Sequence, residues 1–163
     1  MEKANQEQLH KRNILRSYLI RYRKAENKTE ELRSRRNKLI EDMKHPLGTQ
    51  NMSGLPSNNE PGAGAASYIF RQSELEERIY AQEREAKKIM LQIMDIMDFL
   101  PVESENRSVL ELKYIDGYSD KDIIKIKFYS HRSTLSYHLA SGLDELLQFA
   151  KVQKIINEFD CNK

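Results

Sequence analysis

The sequence has no tryptophan, a single cysteine, four prolines and six glycines in 163 residues, and each scarcity removes a class of protein. Cys161 is alone, so no disulfide within the chain and no Cys-x-x-Cys metal site can form. Near the end of the chain it reads as an exposed thiol in a frayed tail. Three of the four prolines and four of the six glycines fall within residues 46–66. The rest of the sequence is therefore almost free of helix breakers. No run of about 18 apolar residues occurs, and MEKANQEQLHKRN lacks the apolar stretch of a secretory signal. A cytoplasmic protein with no membrane partner is expected. There is no P-loop, no G-x-G-x-x-G and no serine-nucleophile motif. The four histidines, His10, His45, His131 and His138, are scattered, with no carboxylate or cysteine at metal-ligand spacing around them. A non-enzyme is expected, with no catalytic residue, no cofactor and no metal.

What is present is charge. Charged residues make up 32% and apolar ones 39%. That is too little apolar material for a single compact core and suits long, solvated helices. The net charge of +2 is unevenly spread. Residues 1–45 carry 13 Lys and Arg against 7 Asp and Glu, residues 67–99 carry 5 against 7, and residues 100–163 carry 9 against 10. The positive excess sits in clusters such as Arg21, Arg23, Lys24 and Arg33, Arg35, Arg36. Such a distribution permits a nucleic-acid partner without establishing one.

Apolar spacing organises the chain. Leu15, Tyr22, Thr29 and Met43 form one heptad track and Tyr18, Ala25, Leu32 and Leu39 another, the seam of a helix lying against a helix. Thr29 and Arg36 soften its middle. Pro46 sets the helix end near His45. Residues 46–66, rich in Gly, Pro and Asn, predict a flexible loop. From Ser67, a second seam runs through Leu75, Ile79, Ala86, Ile89, Ile93, Ile96 and Leu100, widened by Met90, Met94 and Met97, for which core packing is expected. The two seams can pair as an antiparallel hairpin within one chain or between two chains. Beyond Pro101, Val102, Val109, Leu110, Leu112 and Ile115 suit a short helix stopped by Asp116-Gly117. Ser119 is placed to cap a following helix, with Asp120 and Asp122 in its first turn, and Ile123, Ile124, Ile126 and Phe128 follow. A polar break at Tyr129-Ser130-His131 leads to a last helix with Leu135, Leu139, Leu143, Leu146 and Ala150 on one face. The expected fold is all-α: a long helical hairpin or coiled coil (a basic heptad helix at 1–45, the loop at 46–66, a second heptad helix at 67–100) followed by a small helix-turn-helix domain at 101–163.

The stretch LELKYIDGYSDKDIIKIKFYSHRSTLSYHLASGLDELL resembles the DNA-binding region 4 of bacterial sigma factors. The corresponding elements are Tyr114-Ile115-Asp116-Gly117 at the turn, Ser119 through Ile123 opening the next helix, and Arg132-Ser133-Thr134-Leu135 opening the recognition helix. With the basic heptad helix and the loop ahead of it, the whole chain resembles the ArpU and RinA type of phage and prophage late transcription regulators. The match covers roughly residues 109–147; the arm matches in layout. Three departures stand out, the first being that the family's small residue after the conserved Ile is here Ile124 or Lys125. The family spacing lands on Thr134, whereas the apolar face runs through Leu135, so one residue is extra. The turn glycine is replaced by Phe128 or Tyr129.

The resemblance implies a protein that binds double-stranded DNA as a homodimer, possesses a helical arm for dimerisation or RNA polymerase contact, and works in the nucleoid of a bacterial host. An α-helix fits the major groove and reaches base edges from its N-terminal half. Arg132, Ser133, Ser136 and Tyr137 are expected to face bases, with Arg132 the guanine reader. Lys121, Lys125, Lys127 and the cap hydroxyls of Ser119 and Ser130 are expected to approach phosphates, and His131 to lie at the recognition-helix cap. Competing expectations are a small-terminase-like DNA-packaging subunit and a coiled-coil adaptor without DNA binding.

Overall fold

Good helix formers fill the first 44 positions, and the proline at 46 ends the run. In a computed structural model, which describes residues 2–44 and 63–161, with side chains over 6–44 and 67–161, this stretch forms α1 (Glu2–Leu19) and α2 (Arg21–Lys44). The single helix expected over 1–45 is interrupted at Ile20, yet main-chain bonding continues across it. Ile20 N donates to Arg16 O at 3.0 Å and Lys24 N to Ile20 O at 3.1 Å. The expected loop at 46–66 lies outside the described residues up to residue 62. Its last four positions are helical, because α3 (Ala63–Met97) starts ahead of the expected Ser67, on alanines, the strongest helix formers. The remaining elements are α4 (Glu105–Tyr114), α5 (Asp120–Ile126), α6 (Arg132–Leu147) and α7 (Ala150–Cys161). The described residues are all-α, without a strand.

These helices divide into two compact units, Met1–Lys24 with Ala86–Lys163, and Ala25–Glu85. The expected boundary at residue 100 is not where the packing divides. In the second unit, α2 and α3 run antiparallel, with Gln82 Nε2 donating to Ala25 O at 3.5 Å. Ala25, Thr29 and Ile79 are buried there. Thr29 is tolerated because its hydroxyl donates to Ala25 O at 3.1 Å, which satisfies the polar group without leaving the helix. Arg33 bridges the pair by donating to Glu83 at 2.6 Å. Among the described residues, this seam is buried within the chain only at Ala25, Thr29 and Ile79, while Leu32, Leu39, Met43 and Leu75 stay half-buried.

In the first unit the basic N-terminal helix is part of the core. Ile14, Leu15, Tyr18 and Leu19 are buried where α1 packs on α6 and α7. Arg12 adds a two-pronged ion pair to Asp144 of α6. That geometry is the strong form of a guanidinium-carboxylate contact, and it raises the Arg12 pKa. From α3, Ile89, Ile93, Ile96 and Met97 are buried, as is Leu100 just beyond it, as the spacing predicts. The methionines divide: Met97 is in the core, whereas Met94 is exposed. Two i+3 bonds, Phe99 N to Ile96 O and Leu100 N to Met97 O, close α3 ahead of Pro101.

Three expectations for the C-terminal region need correction. Val102 is 79% exposed and precedes α4, so it has no part in the core. Ala150 does not continue the α6 face; α6 ends at Leu147 and Ala150 opens α7. Gln153 Nε2 donates to Leu147 O at 2.6 Å, capping α6 from the next helix. The helix α7 is an element beyond those expected from the sequence, although Val152, Ile155, Ile156 and Phe159 carry helical spacing. Val152 and Ile156 are fully buried, and Phe159 meets the Tyr18 ring edge-on at 5.3 Å.

Two outcomes are expected. Gly142 sits where α6 crosses α4, and a Cβ there would stand 2.8 Å from Leu110 Cδ1 and 3.2 Å from Asn106 Cβ. Replacing Gly142 with Val should therefore destabilise the protein by about 1–3 kcal/mol in urea denaturation. A fragment beginning at Val102 loses Leu15 and Leu19, each contributing about 1.5–3 kcal/mol of burial. Its α7 amides should exchange much faster than in the intact chain. Native protection of α7 without α1 would show that this packing is dispensable.

Candidate nucleic-acid interface

The helices α4, α5 and α6 pack on one another around a small core of Val109, Ile123 and Leu135, with Leu112, Ile124, Tyr129 and Leu139 against it. Local chemistry sets each helix start and stop. Gly117 (φ 76°) turns the chain after α4, and a Cβ at this position would overlap the Arg23 guanidinium. Ser119 caps α5: its Oγ accepts from Asp122 N at 3.3 Å and donates to the Asp122 carboxylate at 2.6 Å.

The turn between α5 and α6 is built without a glycine. Tyr129 N donates to Ile124 O at 3.0 Å and Phe128 N to Lys125 O at 3.2 Å, the paired bonds of a Schellman ending. The left-handed position belongs to Phe128, at φ 52°. Tyr129 turns inward instead. Its hydroxyl donates to Glu105, and its ring stacks on His138 at 5.6 Å. Burial, and then the Glu105 carboxylate, push the Tyr129 pKa up. The Tyr129 hydroxyl, followed by Lys127, holds Glu105 below the ordinary carboxylate range.

The sequence-derived residues fall into two groups. Lys121, Lys125, Ser130, His131, Arg132, Ser133, Ser136 and Tyr137 are exposed, with Arg132 78% exposed at its side chain and Tyr137 67% exposed. Arg132 reaches Asp120 at 3.5 Å, a carboxylate that also pairs with Lys113 at 2.6 Å and is held in its ionised form chiefly by that lysine. The remaining two are committed to the fold. Lys127 is half-buried and pairs with Glu105 at 3.0 Å, and the Ser119 hydroxyl is engaged by Asp122. The cap of α6 is His131, with an extended backbone and no side-chain cap bond, so Ser130 lies one residue before it. His138 is half-buried, its Nδ1 2.8 Å from Asn106 Oδ1.

Burial of Leu135, Gly142, Leu143, Leu146 and Leu147 turns the opposite side of the first turns of α6 outward. The unit that carries α6 holds 18 Lys and Arg against 14 Asp and Glu, a net +4. This reverses the expectation that the positive charge belongs to a separate arm, since residues 1–24 alone contribute 7 against 2. The basic clusters are also less free than they read. Arg33 pairs with Glu30 and Glu83, Arg35 with Glu31, and Arg21 lies over the Tyr18 ring at 4.9 Å.

The chain matches no family model, no curated protein and no solved structure. Among the described residues, no three His, Cys, Asp or Glu side chains cluster to hold a metal ion, and no helix is long and apolar enough to cross a membrane.

A left-handed backbone costs a non-glycine residue about 1–2 kcal/mol, and the Phe128 ring, 92% exposed, gains almost nothing from burial. Replacing Phe128 with Gly should therefore stabilise the protein by about 1 kcal/mol. The measurement is the urea midpoint, and a lower midpoint would show that the ring packs in solution.

Proposed function

We propose that the protein is a sequence-specific regulator of transcription of phage or prophage origin that binds double-stranded DNA through α6. The observation that carries this reading is the division of α6: its C-terminal two thirds are packed from behind, and its first turns present Arg132, Ser133, Ser136 and Tyr137 together. Such a helix end enters a major groove, where Arg bonds guanine and short polar side chains reach neighbouring base edges. The sigma region 4 resemblance of residues 109–147 and the net +4 of the unit that carries α6 support it. Lys121 and Lys125 would meet phosphates, with Ser130 and His131 beside them.

In this reading the protein works in the host cytoplasm at the nucleoid, as a homodimer with RNA polymerase as a further partner. The half-buried Leu32, Leu39, Met43 and Leu75 of residues 25–85 leave apolar surface there for a second copy. A packaging subunit would instead form rings of eight or more copies, which mass measurement in solution distinguishes.

The test is quantitative DNA binding across salt concentrations. Arg132→Ala should cost about 1–3 kcal/mol at the preferred site and relax base choice there, leaving the salt slope nearly unchanged. Lys121→Ala and Lys125→Ala should weaken all duplexes alike and flatten that slope. Full affinity and full preference in the Arg132 variant would overturn the assignment of this face.

A further inference from the structure

Phe128 combines two burdens that folding alone does not explain. Its backbone is left-handed at φ 52°, a conformation that glycine adopts without strain. Its ring is 92% exposed, the largest exposure among the exposed apolar side chains described. Glycine would remove both burdens and keep the Schellman bonds, which are made by the main chain. A side chain that costs stability and buries nothing in the free protein points to a contact made in a complex.

The surroundings select the partner. Along the chain, Phe128 lies between Lys125 and Lys127 on one side and Ser130, His131 and Arg132 on the other. The only other exposed apolar residue in that stretch is Ile126. A protein partner would be met by a contiguous apolar patch, whereas here Phe128 and Ile126 stand in a stretch that otherwise exposes Lys125, Ser130, His131 and Arg132. Duplex DNA offers the complementary pattern: phosphates around a groove whose one apolar group is the thymine C5-methyl. A turn immediately ahead of a groove-reading helix stands at the groove edge.

Resting on the DNA-binding reading above, we propose that Phe128 is a specificity residue that packs its ring on a thymine methyl group beside the bases read by α6. The contact involves no charge and no hydrogen bond, so it would favour thymine over cytosine and over uracil.

The experiment uses the full chain, Phe128→Gly and Phe128→Leu, and the duplex that the full chain enriches from a random-sequence pool. Phe128→Gly should bind that duplex about tenfold more weakly, at unchanged salt slope and with a higher melting temperature. Phe128→Leu, which keeps an apolar side chain, should recover part of the loss. Replacing single thymines by deoxyuridine should identify one position that weakens the full chain by a similar factor and has no further effect on Phe128→Gly. Equal affinity of the full chain and Phe128→Gly overturns the proposal, and so does additivity of the two changes at every thymine. Loss of transcription activity with DNA affinity intact would assign the ring to a protein partner and overturn it as well. If the full chain enriches no duplex, the DNA-binding reading falls and this inference falls with it; enrichment with an indifferent Phe128 overturns the inference alone.

Discussion

The helix α6 is held on two sides, and this double packing organises the unit to which it belongs. Towards its start, Leu135 and Leu139 close the small core with α4 and α5. Further along, Gly142 lets α4 approach within side-chain contact, and Asp144 takes the Arg12 guanidinium of α1. At its end, Leu146 and Leu147 are buried and the Gln153 side chain of α7 satisfies the last carbonyl. A helix gripped this way has its orientation set by many contacts, and of the exposed residues 131–133 and 136–137 only Arg132 reaches another helix, at Asp120 of α5. Those positions can change chemistry at little cost in folding energy, a property expected of a surface that recognises a partner.

Polar groups at the back of α6 reinforce the same placement. Asn106 of α4 donates to Ser141 at 3.1 Å and to Glu145 at 2.5 Å and meets His138. Tyr129 and Lys127 converge on Glu105 at the start of α4. Half-buried carboxylates are costly unless they are bonded in this way. The network fixes the turn between α5 and α6 and leaves Phe128 as the residue that projects. On the proposed reading, rigidity behind the helix and an exposed polar and aromatic front are two halves of one device, since a reading helix gains specificity only when its register is held.

The docking of α1 changes how the charge distribution is understood. A basic N-terminal helix in the sequence suggests an independent arm, whereas here its apolar face is core and its charges join the unit that carries α6. Two of its cations are engaged, Lys11 with Glu7 in the same helix and Arg12 with Asp144 of α6. Such pairs leave less unpaired positive charge on the surface than a count of basic residues implies.

By itself, the sequence determined the features that depend on neighbours along the chain. Helix periodicity identified the buried faces at Leu15, Tyr18 and Ala25 and at Ile79 through Leu100. Local hydrogen bonding made Ser119 a cap and Gly117 a turn, and the alternation of Leu135, Leu139 and Leu143 left Arg132, Ser133, Ser136 and Tyr137 outside. Only the tertiary structure decided what those faces meet. Periodicity says that one side of α1 is apolar but not that α6 and α7 cover it. No proline or glycine marks the end of α6, which stops at Leu147 because Phe149 packs on Phe99 at 4.9 Å and Val152 and Ile156 enter the core. The choice between Phe128 and Tyr129 for the left-handed position was likewise not local. Glu105, more than twenty residues earlier in the chain, accepts the Tyr129 hydroxyl, and that bond draws Tyr129 inward and leaves Phe128 to carry the turn.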